Sequence, residues 1–389
     1  MKKLNRYDII IAGAGASGLS LLWYLLKSDS IQQKQILLID RELTPNDSKT
    51  WCFWDDGSIK MPELIAHTWK TLRVDILSES YISKLNKYSY HCIRSIDFTT
   101  GILELADRSP NVTLLESDII DFKSDRDLGV IQTASGDFQA PYIFQSVIKP
   151  KETTSDISMI QHFLGWEIEL SAELFDPATA LLMDFNVDQT HGFSFMYLLP
   201  YSRKQALIEY TLFSNGLLSD AQYEEALQHY LTHTLNLKSS DYQIRRKEKG
   251  AIPMEDRRYQ LTYCDHVYNM GSVGGFTKPS TGYTFRRIQD RSVEIVKALE
   301  RDQKIPEDPV SSYRFRVYDM MLLYNLDKDQ ETSIRIFRDL FNKNEMERVL
   351  EFLDEKTTFL QELSIFTSFS PVPFLKSIYH MKHRIFTGA

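Results

Sequence analysis

The stretch "YDIIIAGAGASGLSLLWYLLKS" near the N-terminus constrains this chain more than any other. "DIIIA", Asp8 to Ala12, is a short run rich in isoleucine, the kind that suits a strand covered on both faces. Glycines follow, and then Leu19, Leu22, Trp23 and Leu26 recur at helical spacing. A second apolar run, "QILLID", ends in Asp40, 22 residues past Gly18 (40 − 18). The whole is a βαβ unit carrying Gly13-Ala14-Gly15-Ala16-Ser17-Gly18 in its first turn. Gly13 permits the tight turn, Gly15 lets a pyrophosphate reach the backbone, and Gly18 lets helix and strand pack closely. Ala14, Ala16 and Ser17 complete the turn at the helix N-terminus, whose free N–H groups attract an anion. Asp40 stands where an acid accepts from ribose hydroxyls. The leading "MKK" resembles the start of a secretion signal, but the glycine turn breaks the apolar stretch and no cleavage region follows.

A second glycine-rich loop occurs in "YNMGSVGGFTKPSTGYTFRRIQDRSVEIVKALE". A strand is expected to lead into Gly271, Gly274 and Gly275, then Pro279 and Gly282, with an amphipathic helix from about Thr284. Two loops that each feed a helix suit a long dinucleotide, FAD more than NAD, and make Gly274, Gly275 and Pro279 further cofactor-side candidates. Between the loops, "NVTLL", "GVIQTA" and "YIFQSVI" read as short strands, while "FSFMYLLP" and "QALIEYTLF" flank "YSRK" as a hairpin. "SDAQYEEALQHYLTHTL" is helical in period, and so is most of the chain beyond residue 300. The expected organisation is an FAD-binding βαβ unit in 1–60 and more of that domain in 61–150. A substrate sheet occupies 151–250, the cofactor domain returns in 251–300, and helices fill 301–389.

Composition excludes several classes. The 389 residues carry 43% hydrophobic and 25% charged residues, ordinary for a globular protein of two or three domains. A net charge of −8 argues against nucleic acid as a partner. Cys52, Cys92 and Cys264 are scattered singly, which suits a reducing cytoplasm and no disulfide framework. No His, Cys or Asp group has metal-ligand spacing, and no GxSxG nucleophile motif occurs. No second apolar run approaches the roughly 20 residues of a membrane span. The final "PVPFLKSIYHMKHRIF" holds Lys376, Lys382 and Arg384 and no acid, which suits either a helix lying on an anionic bilayer or a solvated terminal helix.

Taken in order, the motifs resemble the FAD-dependent lycopene cyclases. They are "GAGASG", "KTWCFWDDG", "QHFLGWEIE", "LMDFNVDQ", "FMYLLP", "IEYTLFS", "KGAIPM", "GGFTKPSTGYTFRRI" and "RVLEFLDEKT". The eighth is the most specific. The resemblance implies an FAD-binding Rossmann-type fold of the glutathione-reductase-like kind, interleaved with an antiparallel-sheet substrate domain and followed by helices. It further implies cyclisation of lycopene and other acyclic-end carotenoids to β-rings, with reduced FAD, NAD(P)H as external reductant and peripheral membrane contact. Two departures stand out. "FQSVIKP" replaces an Ala-Arg-Gly or Ala-Thr-Gly signature, and Gly271-Ser272 replaces the Gly-Asp of redox flavoproteins.

By position Glu209 matches the acid–base residue of that family. It is also the one carboxylate in the otherwise uncharged "ALIEYTLFS". Ring closure without oxidation needs a proton given to a terminal alkene and a proton taken back. A buried carboxyl stays protonated near neutrality, and the cation it creates must be stabilised as it forms. Reduced FAD would provide that stabilisation, or would itself give the proton. Asp184 is the candidate to orient Glu209 or accept the departing proton. Trp54, Trp166, Phe193, Phe195 and Tyr197 are candidates to line a polyene pocket and offer cation–π contact. Glu167 and His191 suit either a polar cluster or the surface. The alternatives on one fold are a redox flavoenzyme (a monooxygenase or isoprenoid reductase) and a prenyl-binding escort without catalysis.

Overall fold

In the computed structural model, which describes residues 5–149, 155, 157–308 and 310–387, a parallel sheet surrounds the N-terminal strand. Its strands run in the order Thr262–Cys264, Val267–Asn269, Tyr142–Gln145, Ile9–Ala12, Ile36–Asp40 and Val112–Glu116. All neighbours are parallel except the first pair. The central strand reads Ile-Ile-Ile-Ala and is buried throughout, because helices and a second sheet cover its two faces. The helix Ala16–Leu26 follows, capped by the extended Gly15 without a side-chain hydrogen bond. Gly18 is required there. A Cβ at this position would lie 1.9 Å from the Gly13 carbonyl oxygen. The helix Phe285–Glu300 packs beside Ala16–Leu26, and Gln289 Nε2 donates to Ser20 Oγ at 2.8 Å.

The second body is a seven-stranded sheet. Its order is Tyr242–Glu255, Ser158–Leu170, Gln205–Ser214, Phe193–Pro200, Thr179–Asp184, Thr71–Ile76 and Glu79–Lys84. The expected hairpin is present, with Tyr197 opposite Glu209. The last two strands come from 61–150, a mixed α/β segment expected to be part of the cofactor domain. They join the substrate sheet because Thr179–Asp184 offers Thr71–Ile76 a free edge to pair with in parallel. The two domains are interleaved more finely than the sequence suggests.

Alternation divides this large sheet into two apolar layers. On one face Phe193, Phe195, Leu199, Leu207 and Phe213 join a core with the C-terminal helices. On the other, Trp166, Met196, Leu198, Ile208 and Tyr210 pack with Tyr223, Leu227 and Tyr230, which come from the helix Asp220–His229 and its continuation. The C-terminal region forms five helices among the described residues: Tyr313–Lys328, Gln330–Lys343, Met346–Leu353, Phe359–Phe366 and Val372–Thr387. An ionic cluster ties them to the late glycine loop. Lys278 Nζ lies 2.9 Å from Asp319 and 3.2 Å from Glu355, both in the helical region.

Candidate active site

A cavity of about 520 Å³ lies where the two bodies meet. Gly15, Ala16 and Ser17 of the first glycine turn line it, as do Gly271, Ser272 and Gly282 of the second, with Tyr197, Leu207, Glu209 and Glu248 of the large sheet. Both helix N-termini therefore open into one space, and uncapped N–H groups there favour an anionic ligand. Ser17 Oγ and Gln161 Oε1 are buried at its wall without a protein partner among the described residues. A Cβ on Gly15 would meet nothing within 4 Å. These amide and hydroxyl donors and the Gln161 acceptor, open over the fingerprint, fit a dinucleotide.

The cofactor-side candidates divide. Gly15, Ala16 and Ser17 line the cavity. Gly13, at φ +112°, and Gly18 build the turn beneath it. Asp40 ends its strand with Oδ2 accepting from the Ala14 amide at 2.5 Å. Gly274, Gly275 and Pro279 do not line the cavity. The first two serve close packing instead, since a Cβ would strike the Asn269 carbonyl at Gly274 and the Tyr259 ring at Gly275. Where a signature departs in "FQSVIKP", the buried Gln145 shapes the turn. Its Oε1 accepts from the Val147 and Ile148 amides, both at 2.9 Å, and Ser146 faces the cavity.

Glu209 is buried at 8% exposure and faces the cavity, not bulk water. Thr211 Oγ1 donates to its carboxyl at 2.8 Å. Burial, then the charge of Glu248, push it well above the ordinary carboxylate range. Glu248, which sequence reasoning missed, shares a hydrogen bond with it. Arg246 Nη1 donates to Glu248 Oε2 at 2.6 Å, and Thr50 Oγ1 donates to the same oxygen at 2.7 Å. Burial raises Glu248 above its ordinary range as well, though these donors and Glu209 oppose the rise, so of the pair Glu209 holds a proton more tightly. Glu167 completes this polar chain, accepting from Arg246 Nε at 3.0 Å, whereas His191 is exposed.

Two expectations need correction. Asp184 does not approach Glu209. It lies on the opposite face of the sheet, accepts from Tyr230 Oη at 2.9 Å and caps Asn186 through its backbone N–H at 2.9 Å. Trp166 is on that far face too, one residue out of phase with Gly165, which pairs with Glu209. Of the other aromatic candidates, Phe193, Phe195 and Tyr197 share Glu209's face of the sheet, and Trp54, from the strand Thr50–Asp55, belongs to the core packed against that face. Tyr197 lines the main cavity and, with Trp54, Phe195 and Tyr283, a neighbouring apolar one of about 110 Å³ under the C-terminal helices. Phe193 stacks on Phe213 at 5.8 Å and is core packing that lines neither cavity. The Tyr90 and Tyr283 hydroxyls meet at 3.0 Å.

Comparison with known proteins agrees with this architecture. The sequence profile of the family described as "Lycopene cyclase protein" matches residues 8–379. A lycopene beta-cyclase of Pantoea ananas is 24% identical over 402 residues, spanning 96% of this chain and 97% of that protein. Among solved structures, a geranylgeranyl bacteriochlorophyll reductase-like protein of Thermoplasma acidophilum superposes with a TM-score of 0.59 at 13% identity, covering 98% of this chain and 100% of that one. A mutant of the halogenase PltM in complex with FAD gives 0.59 at 10% identity, covering 96% of this chain and 86% of that one. The fold is that of the FAD-binding flavoproteins.

Proposed function

We propose, from the premise that this chain belongs to the lycopene cyclase family, that it closes the acyclic ends of lycopene into β-rings by an intramolecular, proton-initiated reaction without net redox change. The observation that carries the reading is a carboxyl, Glu209, buried on the wall of the cavity into which both glycine turns open, where burial raises its hold on a proton. Gly15, Ala16, Ser17, Gly271 and Ser272 would hold FAD, with NAD(P)H as the external source of electrons. Reduced FAD, when bound, supplies negative charge that stabilises a cation in a site shielded from water.

Glu209 gives its proton to the terminal alkene carbon, which forms a C–H bond and leaves a tertiary cation on the polyene. The neighbouring double bond attacks that cation and closes the six-membered ring. A ring carbon then returns a proton to the carboxylate, so the product is an isomer of the substrate. Tyr197, Tyr283 and Trp54 present aromatic faces beside this path, and such faces stabilise a nearby cation by about 0.5–2 kcal/mol.

The polyene would reach the site from a bilayer. No helix among the described residues is long and apolar enough to cross a membrane. However, Phe359, Leu360, Val372, Leu375, Tyr379 and Phe386 are each more than 60% exposed on the last two helices. Lys376 and Lys382 lie on the second of these helices, and Phe366, Phe369 and Phe374 lead from this face into the apolar cavity. A peripheral position on the cytoplasmic leaflet fits. Arg384, counted among the basic residues of this helix, is instead buried against Asp256 at 3.0 Å. Expression in a lycopene-accumulating bacterium, with pigments separated by chromatography, tests the reading. β-Carotene should replace lycopene, and unchanged lycopene would refute it.

A further inference from the structure

That reading leaves Glu248 without a task. Glu209 and Glu248 project from the two strands that flank Ser158–Leu170, and both pair with Gly165. A Cβ at Gly165 would come within 3.3 Å of both Glu209 Cβ and Glu248 Cγ. The missing side chain is what allows the two carboxyls to meet. Their other partners differ in kind. Glu248 is bound by the Arg246 guanidinium and the Thr50 hydroxyl, while Glu209 is met by the neutral Thr211 hydroxyl. The remaining titratable groups that act on Glu209 or answer to it are Cys52, Tyr197 and Tyr283. Burial pushes each of them upward, so they stay neutral at working pH. Arg246 and Glu248 are therefore the charges that govern Glu209, with Glu167 and Asp47 beyond Arg246.

We propose that Glu248 is a positioning residue, held as a carboxylate by Arg246 and Thr50, which pins the shared proton on Glu209 and forces its return there after ring closure. Two adjacent carboxylates cannot both stay charged cheaply in a buried site. While Glu209 holds the proton the pair carries a single negative charge. When Glu209 has given its proton to the alkene carbon, the pair is doubly anionic beside a carbocation. That charge favours the cation and makes Glu209 a strong base for the ring proton. One proton leaves and one returns, so the pair ends as it began.

This inference rests on Glu209 being the acid–base group, and the test separates the two claims. Holoenzymes of equal flavin content are assayed for ring formation against pH with lycopene in vesicles. The carboxyl C=O infrared band that vanishes in Glu209→Gln is titrated in parallel. The alkaline limb reports loss of the Glu209 proton. Glu248→Gln removes a like charge, so both limb and band should move to lower pH by about 1–3 units. Arg246→Gln removes a charge of opposite sign, and both should move to higher pH. Gly165→Ala, which parts the carboxyls while keeping both, should give a smaller shift toward low pH and serves if Glu248→Gln does not fold. A limb and band that stay in place in Glu248→Gln or Gly165→Ala, whatever the loss of rate, overturn the proposal. Ring formation by Glu209→Gln would instead overturn the reading beneath it.

Discussion

On the proposed mechanism, a tightly held proton on Glu209 would be at once the requirement and the difficulty of the site. Burial and Glu248 raise the carboxyl's hold on its proton, yet an acid that holds its proton tightly is poor at protonating carbon. Stabilisation of the cation must make up the difference. Glu209→Gln should abolish ring formation while flavin content, read from the visible spectrum, stays at the wild-type level. Tyr197 faces Glu209 across one strand pair. Tyr197→Leu should lower turnover by roughly 2–30-fold, the equivalent of about 0.5–2 kcal/mol. Tyr197→Phe, which keeps the ring, should lose much less. Glu209 was legible because it is the one carboxylate in an uncharged run. Glu248 was not, because "RRKEKG" reads as a solvated edge strand and only the strand Thr50–Asp55 brings the Thr50 hydroxyl to it. Asp184 and Trp166 misled for another reason. Period-two alternation tells which residues share a face within a strand, but not how neighbouring strands are phased, and a single step sends a side chain to the opposite layer.

Elements were read more easily than faces. The βαβ unit, the hairpin and the helix after the second glycine loop all lie where periodicity and turn residues put them, since each is specified by local geometry. The pairing of Thr71–Ile76 with a strand more than a hundred residues later is not local, and no sequence pattern announces it. Gly18→Ala is the sharpest test of the first unit. With a Cβ 1.9 Å from a backbone oxygen, the variant should unfold at a markedly lower temperature and purify without flavin. The join between the helix Asp220–His229 and the large sheet contains a pH-sensitive contact. His162 is fully buried, with Nε2 and Ser214 Oγ 2.7 Å apart and Nδ1 bonded to the Tyr223 hydroxyl. Burial lowers it to about 4 from the ordinary 6.5. The folded state thus binds fewer protons than the unfolded one between those values. Its contribution is complete above about pH 6.5 and is lost as pH falls toward about 4. The loss amounts to up to about 3 kcal/mol. Thermal melts should show a decline over this range that His162→Gln flattens.

At the scale of the molecule, two bodies and a helical cover divide the work. The parallel sheet presents the glycine turns, the large sheet presents Glu209, and the C-terminal helices enclose the apolar space beside it. The same helices leave apolar side chains outside, a face through which a protein with no spanning helix among its described residues would take up a polyene if the proposed function holds. Leu360→Asp combined with Leu375→Asp should reduce co-sedimentation with anionic vesicles several-fold without lowering the melting temperature. Unchanged sedimentation would remove the membrane face from the account. The whole arrangement fits a flavoprotein that moves protons and not electrons, and counting electrons tests this most directly. With oxygen excluded and just enough reductant to charge the flavin once, the β-rings formed should exceed the reductant supplied many times over. Product that stops at one equivalent of reductant would contradict the account and mark the protein as a redox enzyme on the same fold.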